Sequence, residues 1–260
     1  MDTTLSSDWV LNEDDYAKSE LSLACLLTLL IPIALFPTVG KTTKDVSDKF
    51  WLRVNPPNAF FGIWGVIYVF ADAAAIYCYV NDLWGSMAWV YFALSNATVG
   101  TWTIIYNQGT LTAVNISVIF EVILLQTNQL LWQSIIDNPK LQNTTGTLVA
   151  NAFSFGQGWF IAATFLGLGA TQVYYFGMSL NTQLVVFWAT APLLAEFTVW
   201  YNVQDSGSIY DSIGLIVCTL YAITGAAITS CTPLPRHLKE KEEREERVEG
   251  EPEPIAEKEE

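Results

Sequence analysis

The sequence predicts an all-α, polytopic transmembrane helical bundle of about seven spans, and three observations carry that prediction. Hydrophobic residues make up 52% of the 260-residue chain and charged residues only 15%, where a soluble domain carries roughly 25% charge. Most of the charges are gathered before residue 21, in 41–53 and after 235. Between them run long apolar stretches of about 20 residues, the length that crosses a bilayer.

Seven such segments can be drawn, at 20–37, 58–80, 86–106, 112–136, 148–170, 183–204 and 209–231. The first contains Pro32, which predicts a kink. Short polar turns, NDLWG (81–85), NQGTL (107–111) and DSGS (205–208), join several of them, as they do antiparallel neighbours in a compact bundle. Pro192 predicts a second kink, in the sixth segment. The charged ends divide the chain into an acidic N-terminal segment (1–19), a transmembrane helical domain (20–232) and a charged C-terminal tail (233–260). The last part of that tail is disorder-like in composition.

Lys and Arg set the expected orientation. With an odd number of spans, Lys41, Lys44, Lys49 and Arg53 share a side with the tail cations Arg236, Lys239, Lys241, Arg244, Arg247 and Lys258, against Lys18 and Lys140 opposite. The positive-inside bias therefore places the 38–57 loop and the C-tail on the cytoplasmic side. The address of the membrane stays open, with mitochondrial membranes among the candidates. The acidic N-terminus has neither the basic start of a signal peptide nor an Arg-rich transit pattern, so targeting is expected to rest on the spans.

Composition also excludes. The net charge of −14 offers no basic footprint for nucleic acid. Cys25, Cys78, Cys218 and Cys231 are scattered, without a CxxC pair, and read as small buried thiols. No catalytic triad, metal-ligand spacing, P-loop or dinucleotide fingerprint occurs. The chain therefore reads as non-enzymatic, with no catalytic residue and no metal site.

Three features remain as candidate function. The first is NPPNAFFGIWGVIY (55–68). Pro56 and Pro57 fit the end of a loop or a first helical turn, where no N–H is needed, and Phe60, Trp64 and Tyr68 then recur at i, i+4 and i+8 with Phe61 beside them. The stripe either packs on neighbouring helices or lines a pocket. The second is a set of acids inside spans, Asp72, Glu121 and Glu196, with no Lys or Arg in any span to pair with them. Such groups serve either as a proton relay or pocket floor, or as polar contacts between helices. The third is the pairs Gly158/Ala162 and Ala163/Gly167, small residues that let helices approach closely, either within the fold or at a dimer seam.

Three patches give the sequence a likeness. GKTTKDVSDKFWLRVNPPNAFFGIWGVIY (40–68) carries Gly40, Thr42, Thr43, Ser47, Asp48, Phe50, Pro56, Phe61, Trp64, Gly65 and Tyr68 in a loop-and-helix pattern. LSNATVGTW (94–102) and FSFGQGWFIAAT (153–164) follow in order. Together they resemble the TspO/MBR family, closest to its longer tryptophan-rich sensory protein branch. Ala59 and Val99 stand where many relatives carry an aromatic residue and an Asn. The resemblance implies a five-helix core with two added C-terminal helices. It also implies a pocket below the first loop that takes porphyrins, sterols or other flat apolar ligands.

The leading expectation is thus a ligand-binding membrane protein. Phe61, Trp64 and Tyr68 supply aromatic contact, and Trp102 and Trp159 wall the pocket. Pro56 and Pro57 shape the loop, and Asp72 adds a polar contact where its face turns inward. The ligand is a tetrapyrrole, sterol or lipid. The sole histidine, His237, lies beyond the last span, so axial haem ligation inside the bundle is not expected. Membrane lipids and a hydrophobic small molecule are the expected partners. Two other readings remain: an accessory subunit of a larger membrane complex, and a transporter using the buried carboxylates.

Overall fold

In the computed structural model, residues 13–35, 40–233 and Lys239 are described. Residues 1–12 of the acidic segment and the rest of the tail beyond 233 lie outside the described residues, as does His237. Within the described residues the secondary structure is entirely helical.

The first apolar segment forms two helices, α1 (Glu13–Leu27) and α2 (Leu30–Leu35), rather than one kinked span. The break at Thr28–Leu29 has a local cause. Pro32 has no N–H, and its ring clashes with the carbonyl four residues back, that of Thr28. Thr28 turns its hydroxyl onto the Cys25 carbonyl at 2.6 Å, and its own carbonyl accepts from the Ile31 amide at 2.9 Å.

The expected 38–57 loop contains a helix, α3 (Thr43–Lys49). Thr42 opens it with a capping box: the Asp45 amide donates to the Thr42 hydroxyl, and the Thr42 amide donates to the Asp45 carboxylate. The segment packs into the bundle rather than trailing in water. Val46 and Val54 are fully buried and Leu52 nearly so, against Phe187, Val114 and Ala170.

After Pro57 the chain makes one 3-10 turn (Asn58–Gly62) and then α4 (Ile63–Val80). Next come α5 (Ser86–Tyr106), α6 (Leu111–Ile136), α7 (Thr144–Tyr174), α8 (Leu180–Ser206) and α9 (Ile213–Ser230). Side-chain caps start α6, α7 and α8 at Thr110, Asn143 and Ser179, and these satisfy amides a helix start leaves unpaired. The fifth predicted segment proves longer than 148–170, because the cap at Asn143 and the turns to Tyr174 extend it at both ends.

Among the described residues, four helical stretches are long and apolar enough to cross a membrane: Asn58–Val80, Leu111–Ile136, Leu180–Ser206 and Ile209–Ser230. α7 is not among them although it has 31 residues. Its place explains this. It packs against α4, α6, α8 and α9, so it meets protein where the others turn apolar side chains outward, such as Val69 and Phe70 on α4, Ile119 on α6 and Leu193 on α8. A central helix can be rich in Gly, Thr, Asn and Gln because its neighbours satisfy them. At Gly158 a Cβ would stand 2.8 Å from the Leu215 carbonyl oxygen of α9, so the small residues serve contact within the fold.

α8 leans on this centre through polar groups. Gln157 (α7) donates to Gln129 (α6), Gln129 donates to Asn202 (α8) at 3.0 Å, and Asn202 donates back to Gln157 at 3.3 Å. The three amides close a ring, with Gln157 and Asn202 fully or almost fully buried. At the other end of α8, the Trp188 indole donates to the Ser230 hydroxyl, which donates to the Arg53 carbonyl at 3.2 Å. The first loop and the end of α9 therefore meet at the same end of the bundle.

Asn202→Leu removes two members' hydrogen bonds from the amide ring. It should cost roughly 1–2 kcal/mol, read as a lower unfolding temperature in detergent. Unchanged stability would mean that α8 is held by its apolar contacts alone.

Candidate functional site

The 3-10 turn decides which aromatic residues meet. It advances three residues per turn rather than 3.6, so Phe60 does not continue the stripe of α4. Phe60 turns to α9, with its ring centre 4.4 Å from that of Tyr221. Phe61 takes the inward place, edge-on to Trp159 at 6.3 Å. Pro56 is buried against α9 at Gly225, and Pro57 sets the start of the turn. Both prolines stand at the entry to the turn, and neither lines the cavity described below.

From α4 and α5 comes a ladder of four rings. Tyr68 stacks on Trp64 at 6.0 Å, Trp64 on Trp102 at 5.4 Å, and Trp102 on Tyr106 at 5.0 Å, with interplanar angles of 29°, 27° and 17°. Trp159 of α7 meets Trp64 edge-on at 6.2 Å, and Phe160 lies 6.0 Å from it. These are the favourable geometries for aromatic pairs, each adding about 0.5–1.5 kcal/mol beyond burial.

Beside the ladder stands Glu121 of α6, 4% exposed. Trp102 Nε1 donates to its Oε1 at 2.9 Å. Its Oε2 has no hydrogen-bond partner among the described residues. Gly167 of α7 makes room for it, since a Cβ there would lie 2.4 Å from Oε2. The carboxyl group borders a cavity of about 30 Å³. Its aromatic walls are Phe61, Trp64, Trp102, Tyr106 and Trp159, its small-residue wall is Ala163, Gly167 and Ala170, and its roof is Thr43, Ser47, Phe50 and Asn55 from the first loop. The indole N–H groups of Trp64 and Trp159 also lack acceptors among the described residues.

The roof is anchored at its edges. The Lys41 amide donates to the Asn107 carbonyl at 3.0 Å, and Lys49 Nζ donates to the Gly109 carbonyl at 2.6 Å. Asn55 donates to the Ser47 carbonyl and hydroxyl at 2.9 and 3.0 Å, while Tyr174 donates to the Trp51 carbonyl at 2.8 Å. On the exposed side of α3, Lys44 pairs with Asp48 at 2.5 Å. The Thr42 hydroxyl and amide hold the Asp45 carboxyl below its ordinary value of 3.8.

The structure brings Phe61, Trp64, Trp102 and Trp159 to one cavity. Tyr68 borders a second void of about 30 Å³ with Asn96 and Asn128. Asp72 is half-buried and does not line the cavity, so it supplies no polar contact there. Glu196 is exposed on α8, so the three intramembrane acids do not converge. Ala59 is exposed and Val99 buried in the aromatic cluster, while Asn96 donates to Thr28 rather than toward Glu121. Tyr106, Asn55 and the pairing of Glu121 with Trp102 were not foreseen. A larger, open cleft of about 1320 Å³ lies at the opposite end among Ser19, Tyr79, Trp84, Trp89 and Lys140, and contains none of the predicted site residues.

A family profile described as "TSPO-like protein" matches residues 19–229. The chain belongs to that family. No curated protein and no solved structure matches it. Family membership and the helical architecture make this TSPO-like chain an integral, multi-pass membrane protein.

Glu121→Leu should leave the Trp102 N–H buried without an acceptor and cost about 1–3 kcal/mol, whereas Glu121→Gln, which keeps an oxygen for it, should cost much less. Equal unfolding temperatures for the two variants would show that the hydrogen bond contributes nothing. A second expectation concerns the roof. Asp45 has a lowered pKa when folded, so its cap is present above the unfolded value and lost as pH falls through the folded one. Amide exchange in α3, corrected for intrinsic rates, should therefore accelerate below 3.8. In Asp45→Ala it should be fast at all pH values, and a wild-type rate in that variant would exclude the cap as the cause.

Proposed function

We propose that this TSPO-like protein is a non-enzymatic membrane protein that binds a flat, largely apolar ligand, a tetrapyrrole, sterol or lipid, at the aromatic cavity beneath α3. The observation that carries this reading is the juxtaposition of stacked indole rings with buried polar atoms that lack partners, Glu121 Oε2 and the Trp64 and Trp159 N–H groups. Ligand sites are typically such apolar walls with a few convergent polar groups. The basic 38–57 loop is then on the cytoplasmic side, by the positive-inside bias.

The void of about 30 Å³ is roughly a tenth of what even a small ligand pocket holds. A flat ligand must therefore part the Trp64–Trp102 stack or lift the roof. That closed state supports a second reading, in which the rings are purely packing and the chain is an accessory subunit of a membrane complex.

Titration of the detergent-solubilised protein with the dimethyl ester of protoporphyrin IX, a neutral flat ring, separates the two. The binding reading expects saturable one-site quenching of tryptophan fluorescence, weakened in Trp64→Ala and in Trp64→Phe, the latter keeping a ring in the helix contact. Quenching that does not saturate, or that is the same in all three proteins, favours the subunit reading.

A further inference from the structure

We infer that the cavity selects its ligand by charge: the preferred class is an aromatic compound carrying a protonated amine, with the ammonium seated at Glu121 Oε2, and anionic ligands of the same shape are disfavoured. This rests on the proposed binding role of the cavity and goes beyond the ligand classes named there.

Among the residues that line the void, Glu121 is the only one that can carry a full charge, and no Lys, Arg or His lies among them. One carboxyl oxygen is engaged by the neutral Trp102 N–H, and the other, in a residue 4% exposed, has no partner among the described residues. A buried carboxyl group is stabilised most by a partner that brings both a hydrogen-bond donor and a compensating charge. An ammonium group does both. A ligand carboxylate brings no donor for the free oxygen and loses its hydration in the same low-dielectric space with no compensating charge.

The walls act in the same direction. Six aromatic rings border the void, and aromatic faces are electron-rich, attracting cations. The Trp64 and Trp159 N–H groups ask for an acceptor, which water or a ligand heteroatom can supply. They are neutral donors and weigh less than an ion pair. Size agrees as well. A void of about 30 Å³ takes a group of water-like dimensions, so the ammonium head fits the closed cavity and only the attached ring has to displace the stack.

The roof keeps its cations elsewhere. Lys49 is turned to the Gly109 carbonyl and Lys44 to Asp48, so neither enters the void to neutralise Glu121. The electrostatic demand of the carboxyl group is left to whatever binds.

Three indoles of matched shape test this by equilibrium dialysis with the full-length protein in detergent: tryptamine (cationic), 3-ethylindole (neutral) and indole-3-propionate (anionic). Binding is expected to weaken in that order, with the amine ahead of the acid by about tenfold or more. Glu121→Gln, which preserves the acceptor for Trp102, should remove most of that gap. Trp64→Phe should weaken all three together. If the acid binds as well as the amine, or the gap persists in Glu121→Gln and so comes from the overall negative charge, the inference is wrong while a Trp64-dependent pocket stands. If none of the three binds while the porphyrin ester still does, the inference falls and the pocket reading stands; if the ester also fails, both fall.

Discussion

A carboxyl group at the centre of an apolar bundle must be partnered, and much of the interior is arranged around that requirement. Glu121 is buried between α5 and α7, with no cation beside it among the described residues. Trp102 supplies a donor from α5, and Gly167 supplies clearance from α7. Once Trp102 is fixed by that bond, its ring plane is fixed too. Trp64 stacks on one side of it and Tyr106 on the other. The ladder joins α4 to α5, and Trp159 and Phe160 attach α7 to it. Electrostatic necessity and aromatic packing thus specify one arrangement, in the way a satisfied buried polar network specifies a unique core.

The helix carrying the small residues answers a related constraint. α7 is surrounded by α4, α6, α8 and α9, so its surface meets protein, where close approach contributes more than hydrophobicity. Gly158 lets the α9 backbone in, and Gly167 lets the Glu121 carboxyl in. One run of small residues therefore performs two tasks at positions nine residues apart: helix contact at one level, and clearance for a polar group at another. The amides Gln129, Gln157 and Asn202 do for α8 what Trp102 does for Glu121, each donor meeting an acceptor in a place without water.

Much of the scaffold could be read from hydropathy alone, because long apolar runs leave little choice in a bilayer. The segments from 58 to 231 coincide closely with the helices found. The proline pair marked a helix entry correctly. Local geometry was less legible. The 3-10 turn after Pro57 exchanged the roles of Phe60 and Phe61, since a shift of a fraction of a residue per turn changes which face points inward. The helix at Thr43–Lys49 was hidden because seven residues are too few for a periodic signal. Its capping box, Thr42 with Asp45, was the available clue. The Glu121–Trp102 bond could not be read at all. It joins two helices through a turn, and nothing in the spacing of 19 residues distinguishes it from a chance pair. Glu196 and Glu121 looked alike in sequence, yet one is exposed and one enclosed.

Two barriers guard the cavity, and their sizes differ in kind. The roof has exposed features, the Lys44–Asp48 pair and the Thr42 cap, which water screens and which contribute little. It also has Val46, Leu52 and Val54, completely or almost completely buried, and full burial of such side chains contributes about 1.5–3 kcal/mol apiece. Lifting the roof would expose all three at once. Parting Trp64 from Trp102 costs the increment of one aromatic pair, about 0.5–1.5 kcal/mol, and the displaced ring can stay among apolar neighbours. The Trp102 side is tethered to Glu121, whereas Trp64 has an unpartnered N–H among the described residues. The balance therefore favours movement of Trp64 with the roof in place. In that geometry Glu121 keeps its bond to Trp102 while its free oxygen meets whatever enters.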